Sequence, residues 1–288
     1  MSDIATQELL HHDAEDLVHA YGFTPAFLPL EPKTQREAYQ RKDKELWIQA
    51  ERKEFETLID MGSFTLVDRP PLPDEYHPCP CRYVYKLKIP NGDFEQARHK
   101  ARLVLQGDLM TENEYVNSFA PTARMSSVRM LTAIAAQEKM SLKKFDLTGA
   151  FLVADMVTKD GNPIYVEIPG LQLPPDKALR LNKALYGGKS SGALYMREIT
   201  TWLQDYGFKP TSTDETLFIL KRGDSKIILS LYIDDGLCAT NDEKMYNDFI
   251  TALGAKYQLS DKRGPGMAPR HCLHLRRRVR KARPDSLH

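Results

Sequence analysis

Tyr232-Ile233-Asp234-Asp235 places two adjacent carboxylates between two short apolar runs, residues 227–231 and 237–239. The runs read as the arms of a buried hairpin. Burying an ionised carboxylate is costly unless a cation or a donor compensates it, so a pair at a turn between apolar strands needs a partner. A divalent metal is the simplest one. The alternative is a turn in which both side chains face water, and the surrounding chain has to decide between the two.

At 288 residues and 42% hydrophobic content, the chain is long and apolar enough to bury a sizeable core. Forty basic residues against 39 acidic ones leave a formal charge of +1, so any surface for a polyanion must come from local clustering. Lys86, Lys88, Arg98, His99, Lys100 and Arg102 form one cluster, and Arg276, Arg277, Arg278, Arg280, Lys281 and Arg283 another. Four scattered cysteines, Cys79, Cys81, Cys238 and Cys272, exclude a disulfide scaffold and fit a reducing compartment. His77, Cys79 and Cys81 do not make a zinc knuckle, because Cys-Pro-Cys lacks the two-residue spacer. No charged-then-apolar leader and no membrane-length apolar stretch is present. The expectation is a soluble intracellular chain with no membrane partner, cytoplasmic or nuclear.

Residues 1–30 read as a loose lead-in. Leu46, Trp47, Ala50, Phe55, Leu58 and Ile59 then recur at helical spacing up to Gly62, which predicts one helix of about 25 residues. Residues 64–67 read as a short strand, followed by a loop holding Pro70, Pro71, Pro73, Pro78 and Pro80. Residues 83–89 and 101–106 make a strand pair around a turn at Pro90-Asn91-Gly92-Asp93, and the first basic cluster sits on it. A cationic hairpin suits a polyanionic substrate; a solvated charged face is the alternative.

Ser126 or Ser127 is placed to cap a helix through Val128, Leu131, Ile134 and Ala135. Residues 142–152 read as an apolar strand carrying Asp146, an acid expected to be partly buried. Further strands are predicted over 164–168, 216–221 and 227–231, with helices over 193–206 and 242–257 and a glycine-bearing turn over 183–191. Beyond Leu259 neither period survives, so 262–288 reads as a disordered basic tail.

Asp146 stands 88 positions before Asp234, each on a strand-like segment of an alternating series. Three carboxylates from separated segments can converge on a pair of magnesium ions, which prefer oxygen ligands, and two such ions can clamp a phosphoryl transfer. Positioning and charge neutralisation carry most of that chemistry, so no histidine base or cysteine nucleophile is required.

With these residues in view, the chain resembles the reverse transcriptase domain of copia-type LTR retrotransposons over residues 31–261. Glu31-Pro32-Lys33-Thr34, the Trp47 helix and Met61-Gly62-Ser63-Phe64 are similar to the opening of that domain. Lys100-Ala101-Arg102-Leu103-Val104, Phe119-Ala120-Pro121 and Ser127-Val128-Arg129 resemble its fingers segment. Phe145-Asp146-Leu147 to Phe151-Leu152, Lys183-Ala184-Leu185-Tyr186-Gly187 and Tyr232-Ile233-Asp234-Asp235 resemble its catalytic motifs. Two departures stand out: Gly188, Lys189, Ser190 and Ser191 occupy the place of a Leu-Lys-Gln stretch, and no patterned thumb or ribonuclease H region follows residue 261.

The resemblance implies an α+β fold, a polymerase palm with a fingers subdomain and an incomplete thumb. It implies an RNA-directed DNA polymerase that joins dNTPs to a primer on an RNA or DNA template, with two Mg2+ ions (or Mn2+) on Asp146, Asp234 and Asp235. Phe151 would lie under the sugar of the incoming nucleotide, Lys86 and Arg102 would reach its phosphates, and Tyr232 would approach the primer end. The expected setting is a virus-like particle in the cytoplasm, or the nucleus. Two alternatives stay open: an inactive nucleic-acid-binding remnant of the same element, and another two-metal phosphoryl transferase such as a nuclease.

Overall fold

The computed structural model describes residues 31–71, 77–89 and 97–259. The lead-in over 1–30, the Pro90-Asn91-Gly92-Asp93 turn and the tail over 262–288 lie outside the described residues, as does Pro73. In chain order the elements are α1 (Gln35–Gln40), α2 (Lys44–Asp60), β1 (Phe64–Asp68), β2 (Cys79–Lys88), β3 (Arg98–Leu105), α3 (Met125–Gln137) and β4 (Ser141–Asp146). They continue with β5 (Tyr165–Glu167), β6 (Lys177–Leu181), α4 (Ser191–Tyr206), β7 (Lys209–Pro210), β8 (Leu217–Arg222), β9 (Ser225–Tyr232), β10 (Asp235–Thr240) and α5 (Glu243–Lys256). The described residues divide into two compact units, one within 1–55 and 82–103 and the other within 56–81 and 104–288.

In the smaller unit the expected single helix is two. Thr34 caps α1 through its side chain, α1 ends at Gln40, and α2 restarts after Asp43, whose carbonyl accepts from Leu46 N and Trp47 N. The break has a polar cause: the Asp43 carboxylate accepts from Arg41 Nε at 2.8 Å and from the Trp47 indole at 3.0 Å, and it contacts His99 Nε2 at 2.9 Å. Those bonds draw off a residue that a continuous helix would have left in its interior. Trp47 is fully buried, edge-on to Tyr85 and His99. Glu51, 1% exposed, accepts from Tyr85 Oη at 2.6 Å, Tyr39 Oη at 2.8 Å and Gln35 Nε2 at 3.0 Å. A buried carboxylate is tolerable when donors surround it in this way. Burial, and then that carboxylate, push the Tyr85 hydroxyl pKa well up.

Strand alternation on β2 and β3 sends Tyr83, Tyr85, Ala101 and Leu103 inward and Lys86, Lys88 and Arg98 outward. His99 shares the inward parity and is therefore removed from the basic face, contrary to its place in the cluster.

In the larger unit one sheet carries β1, β6 and β5, with Phe64 opposite Leu181 and Tyr165 opposite Arg180. β6 was not foreseen from the sequence; its five residues follow Pro174 and Pro175 and give only a brief alternation. Pro80, expected in a loop, lies within β2, where Cys79 and Pro80 pair with Val166 and Glu167 of β5 in parallel.

The second sheet, in the order β4-β10-β9-β8-β7, is antiparallel throughout. One face packs Phe145, Leu229, Leu231 and Cys238 against Tyr195, Met196 and Ile199 of α4 and Phe249 and Leu253 of α5. The other packs Ile228 and Ala239 against Leu131 and Ala135 of α3. Cover on both faces explains why β9 reads as a continuous apolar run rather than an alternating one. The expected strand over 142–152 stops at Asp146, because Gly149 turns left-handed at φ +66° and starts a 3-10 turn over Ala150–Val153.

The predicted serine cap of α3 does not form. The N-cap is Arg124, without a side-chain bond, and Ser127 Oγ instead donates to Asp214 at 2.5 Å. Asp214 also accepts from Thr216 Oγ1 at 2.6 Å and Thr216 N at 2.9 Å, tying the start of β8 to the first turn of α3. Burial would raise the pKa of this carboxyl, yet the hydrogen bonds from Ser127 and Thr216 outweigh it and hold the carboxyl below its usual 3.8. A depressed native pKa contributes stability that is full above the unfolded value and is lost as the pH falls through the native one. Asp214→Ala should therefore lower the unfolding free energy at pH 7 by about 3 kcal/mol. The difference should shrink in acid, as read from denaturant titrations at several pH values.

Candidate active site

The antiparallel register sets Asp146 of β4 opposite Asp235 of β10, and Asp235 opposite Tyr232 of β9. Opposed residues of neighbouring strands point to the same side, so Asp146, Asp235 and Tyr232 form a row across three strands. By alternation that side is the α3 side, since Ile228 shares parity with Tyr232 and Ala239 with Asp235. α3 covers the far part of this face; at the acid end Tyr232 is 52% exposed, Asp235 is exposed and Asp146 is half-buried.

β9 and β10 are joined by two residues, Ile233 and Asp234. Ile233 has φ +53°, the left-handed hand that short hairpin loops prefer but that a β-branched residue resists. Two hydrogen bonds hold the turn: Tyr195 Oη of α4 donates to the Ile233 carbonyl at 2.5 Å, and Leu147 N donates to the Asp234 carbonyl at 2.7 Å. The chain beyond β4 is thereby fastened to the turn that carries Asp234. A left-handed isoleucine persists only when its surroundings over-determine it, and such positions cluster at functional sites.

Gly236 follows the acids because nothing larger fits. A Cβ there would lie 2.1 Å from Cζ of Phe145, its cross-strand partner, and that ring is wedged edge-on against Phe249. Phe151, on the 3-10 turn after β4, stands edge-on to Tyr186 at 4.6 Å and to Tyr195 at 5.8 Å between ring centroids. The backbone bond from Ala184 N to the Ala154 carbonyl and the ion pair of Lys183 with Asp155 bring the Tyr186 segment beside that turn. At Gly187, φ +84°, a Cβ would meet the Leu105 carbonyl at 2.2 Å. Lys189 donates to the Met110 carbonyl at 2.8 Å and lies over the Tyr115 ring.

The larger unit thus holds Asp146, Asp234, Asp235, Tyr232 and Phe151, while the other two expected site residues belong to the smaller one. There Lys86 pairs with Glu31 at 2.9 Å. Arg102 sits near Glu54, whose pKa burial raises while a hydrogen bond from Leu103 N and the charges of Lys100 and Arg102 oppose it. Sequence reasoning missed Tyr195, whose only signal was an aromatic residue on the apolar face of a helix. It also missed Gly236, whose signal was a glycine directly behind two acids.

Paired carboxylates on one strand face are hard oxygen donors, and cross-strand Cβ atoms stand about 5 Å apart, a separation that suits a shared divalent ion. Among the described residues, however, no three His, Cys, Asp or Glu side chains gather closely enough to hold a metal. The register supplies the proximity, and side-chain rotation would have to supply the rest. Among the described residues no helix is long and apolar enough to cross a membrane.

A family model described as reverse transcriptase (RNA-dependent DNA polymerase) matches residues 62–264. Among curated relatives, the Retrovirus-related Pol polyprotein from transposon RE2 of Arabidopsis thaliana is 30% identical over 235 residues, 80% of this chain and 16% of that protein. The corresponding polyprotein from transposon TNT 1-94 of Nicotiana tabacum is 28% identical over 80% of the chain and 17% of its own length. The Transposon Ty1-DR5 Gag-Pol polyprotein of Saccharomyces cerevisiae is 26% identical over 75% and 12%. A solved foamy viral protease-reverse transcriptase in complex with double-stranded DNA aligns with a TM-score of 0.41 at 17% identity, covering 75% of this chain and 31% of that one. The chain spans less than a fifth of the length of the curated relatives it matches.

The geometry around Gly236 generates a direct test. Gly236→Ala should destabilise the fold by about 3 kcal/mol through overpacking, and Phe145→Leu in the same chain should recover part of the loss. Thermal melts of the single and double variants measure both. The acid-bearing hairpin, its partner strand and the family match agree, and the chain belongs to the reverse transcriptase (RNA-dependent DNA polymerase) family.

Proposed function

We propose that this chain is the polymerase part of a copia-type retrotransposon reverse transcriptase, extending a primer 3′ end with dNTPs on an RNA or DNA template. The observation that carries the reading is the register that sets Asp146 opposite Asp235 at the open end of a sheet covered on both faces. In this reading the five-stranded sheet with α3, α4 and α5 is the palm, and the β2 and β3 hairpin with its outward lysines and arginines belongs to the fingers. Asp146, Asp234 and Asp235 would hold two Mg2+ ions, with Mn2+ as a substitute. Bound there, the ions would activate the primer hydroxyl and neutralise charge on the attacking and leaving oxygens.

The remaining work belongs to the side chains. Phe151, braced edge-on by Tyr186 and Tyr195, presents a rigid wall under the sugar and leaves no room for a 2′-hydroxyl. Tyr232, exposed beside Asp235, offers a ring and a hydroxyl to the primer terminus. Lys86 and Arg102 neutralise the triphosphate; Lys86 must leave Glu31 to do so, a small cost for an exposed ion pair. The domain so defined covers residues 31–261.

A second reading, an inactive nucleic-acid-binding chain, draws on the ungathered acids. Primer extension on an RNA template with Mg2+ and dNTPs separates the two: elongated product supports the polymerase, and template binding without product supports the inactive chain. Asp146→Asn or Asp234→Asn preserves volume but removes charge, and should slow extension roughly a thousandfold or more with little change in melting temperature. Extension at the parental rate would refute the metal assignment. Phe151→Ala should raise the ratio of ribonucleotide to deoxyribonucleotide incorporation in competition assays. An unchanged ratio in an active variant would place the ring elsewhere.

A further inference from the structure

The turn that carries Asp234 is held from outside the hairpin. Ile233 is one of two non-glycine residues with positive φ among the described residues, and it is the β-branched one, for which the left-handed region is least accessible. Its carbonyl accepts from the hydroxyl of Tyr195, a residue 1% exposed on the first half of α4. The next carbonyl, of Asp234, accepts from Leu147 N, directly after Asp146. The same Tyr195 ring stands edge-on to Phe151. One side chain therefore touches the turn of the acid pair and the ring assigned to the sugar.

We propose that Tyr195 is a positioning residue. Its hydroxyl clamps the Ile233 carbonyl and keeps the strained turn in the one conformation that presents Asp234 and Asp235 beside Asp146. The inference rests on the polymerase reading for its consequence, but the clamp itself is a property of the fold. Burial, and then the nearby charge of Asp234, push the Tyr195 hydroxyl pKa well up, so the group remains a donor throughout the working pH range. Without the hydroxyl, the Ile233 carbonyl loses a buried partner and the left-handed isoleucine loses the bond that opposes its relaxation.

The test uses Tyr195→Phe, which keeps the ring against Phe151, and the double variant Tyr195→Phe with Ile233→Asn, because asparagine accepts the left-handed region far more readily than isoleucine. Three quantities are read on the full chain: amide hydrogen exchange at Leu147, Mn2+ affinity by electron paramagnetic resonance, and primer extension against dNTP and Mg2+ concentration. Tyr195→Phe should speed Leu147 exchange and weaken Mn2+ binding, each about tenfold. It should lower kcat with a dNTP KM changed less than about twofold. The double variant should move every value back towards the parent, a rescue that loss of packing alone would not give. Parental exchange at Leu147 in Tyr195→Phe would overturn the clamp, as would a failure of Ile233→Asn to restore it. A parent chain that neither binds Mn2+ nor extends primers would refute the polymerase reading, while Leu147 exchange still decides the clamp.

Discussion

The antiparallel pairing of β4 with β10 is the constraint on which the site depends. Its register puts Asp146 opposite Asp235, and a slip of one residue would turn one acid to the α4 and α5 side of the sheet, away from its partner. The register is specified from that side. Phe145 lies over Gly236 in a space that admits no Cβ, so the aromatic and the glycine key into one another only in the observed alignment. On the α3 side, Ala239 and Ile228 pack under Leu131 and Ala135 and fix the same alignment further down the strands. Two apolar layers thus hold two like charges side by side at the open end of the sheet.

Holding like charges together is unfavourable on its own, and the stability comes from elsewhere in the larger unit. α4 and α5 bury a continuous aromatic cluster in which Phe249 meets Phe145, Phe208 and Tyr246. Asp214 fastens α3 to β8 through four donors, two from Thr216 and one each from Ser127 and Arg124. The acid end is left relatively open, with strain concentrated at Ile233. This division, a rigid scaffold beneath a strained and charged rim, is a usual way to pre-organise a site.

Much of this was legible in the residues. The β9 and β10 hairpin, the helices expected over 193–206 and 242–257, and the partial burial of Asp146 follow from local pattern, and the structure has them within a few residues. Several of the misses share a cause, which is contact from a distant segment. Ser127 is taken from its expected cap by Asp214, 87 positions away in sequence. The long first helix is interrupted at Asp43, whose carboxylate is held by His99 on β3 as well as by its neighbours Arg41 and Trp47. Tyr195 looks like an ordinary core aromatic until its hydroxyl meets the Ile233 carbonyl. β6 and the parallel pairing of Pro80 need partner strands that no local window contains.

The central claim, that the β4 and β10 register builds a divalent-cation site from Asp146 and Asp235, is open to one direct measurement. Crystals of the chain with primer, template and a dNTP, grown in Mn2+, would locate the ion by its anomalous scattering. The account predicts an anomalous peak within coordination distance, about 2.2 Å, of carboxylate oxygens from both Asp146 and Asp235. A peak bound by neither residue, with the nucleotide seated, would contradict it.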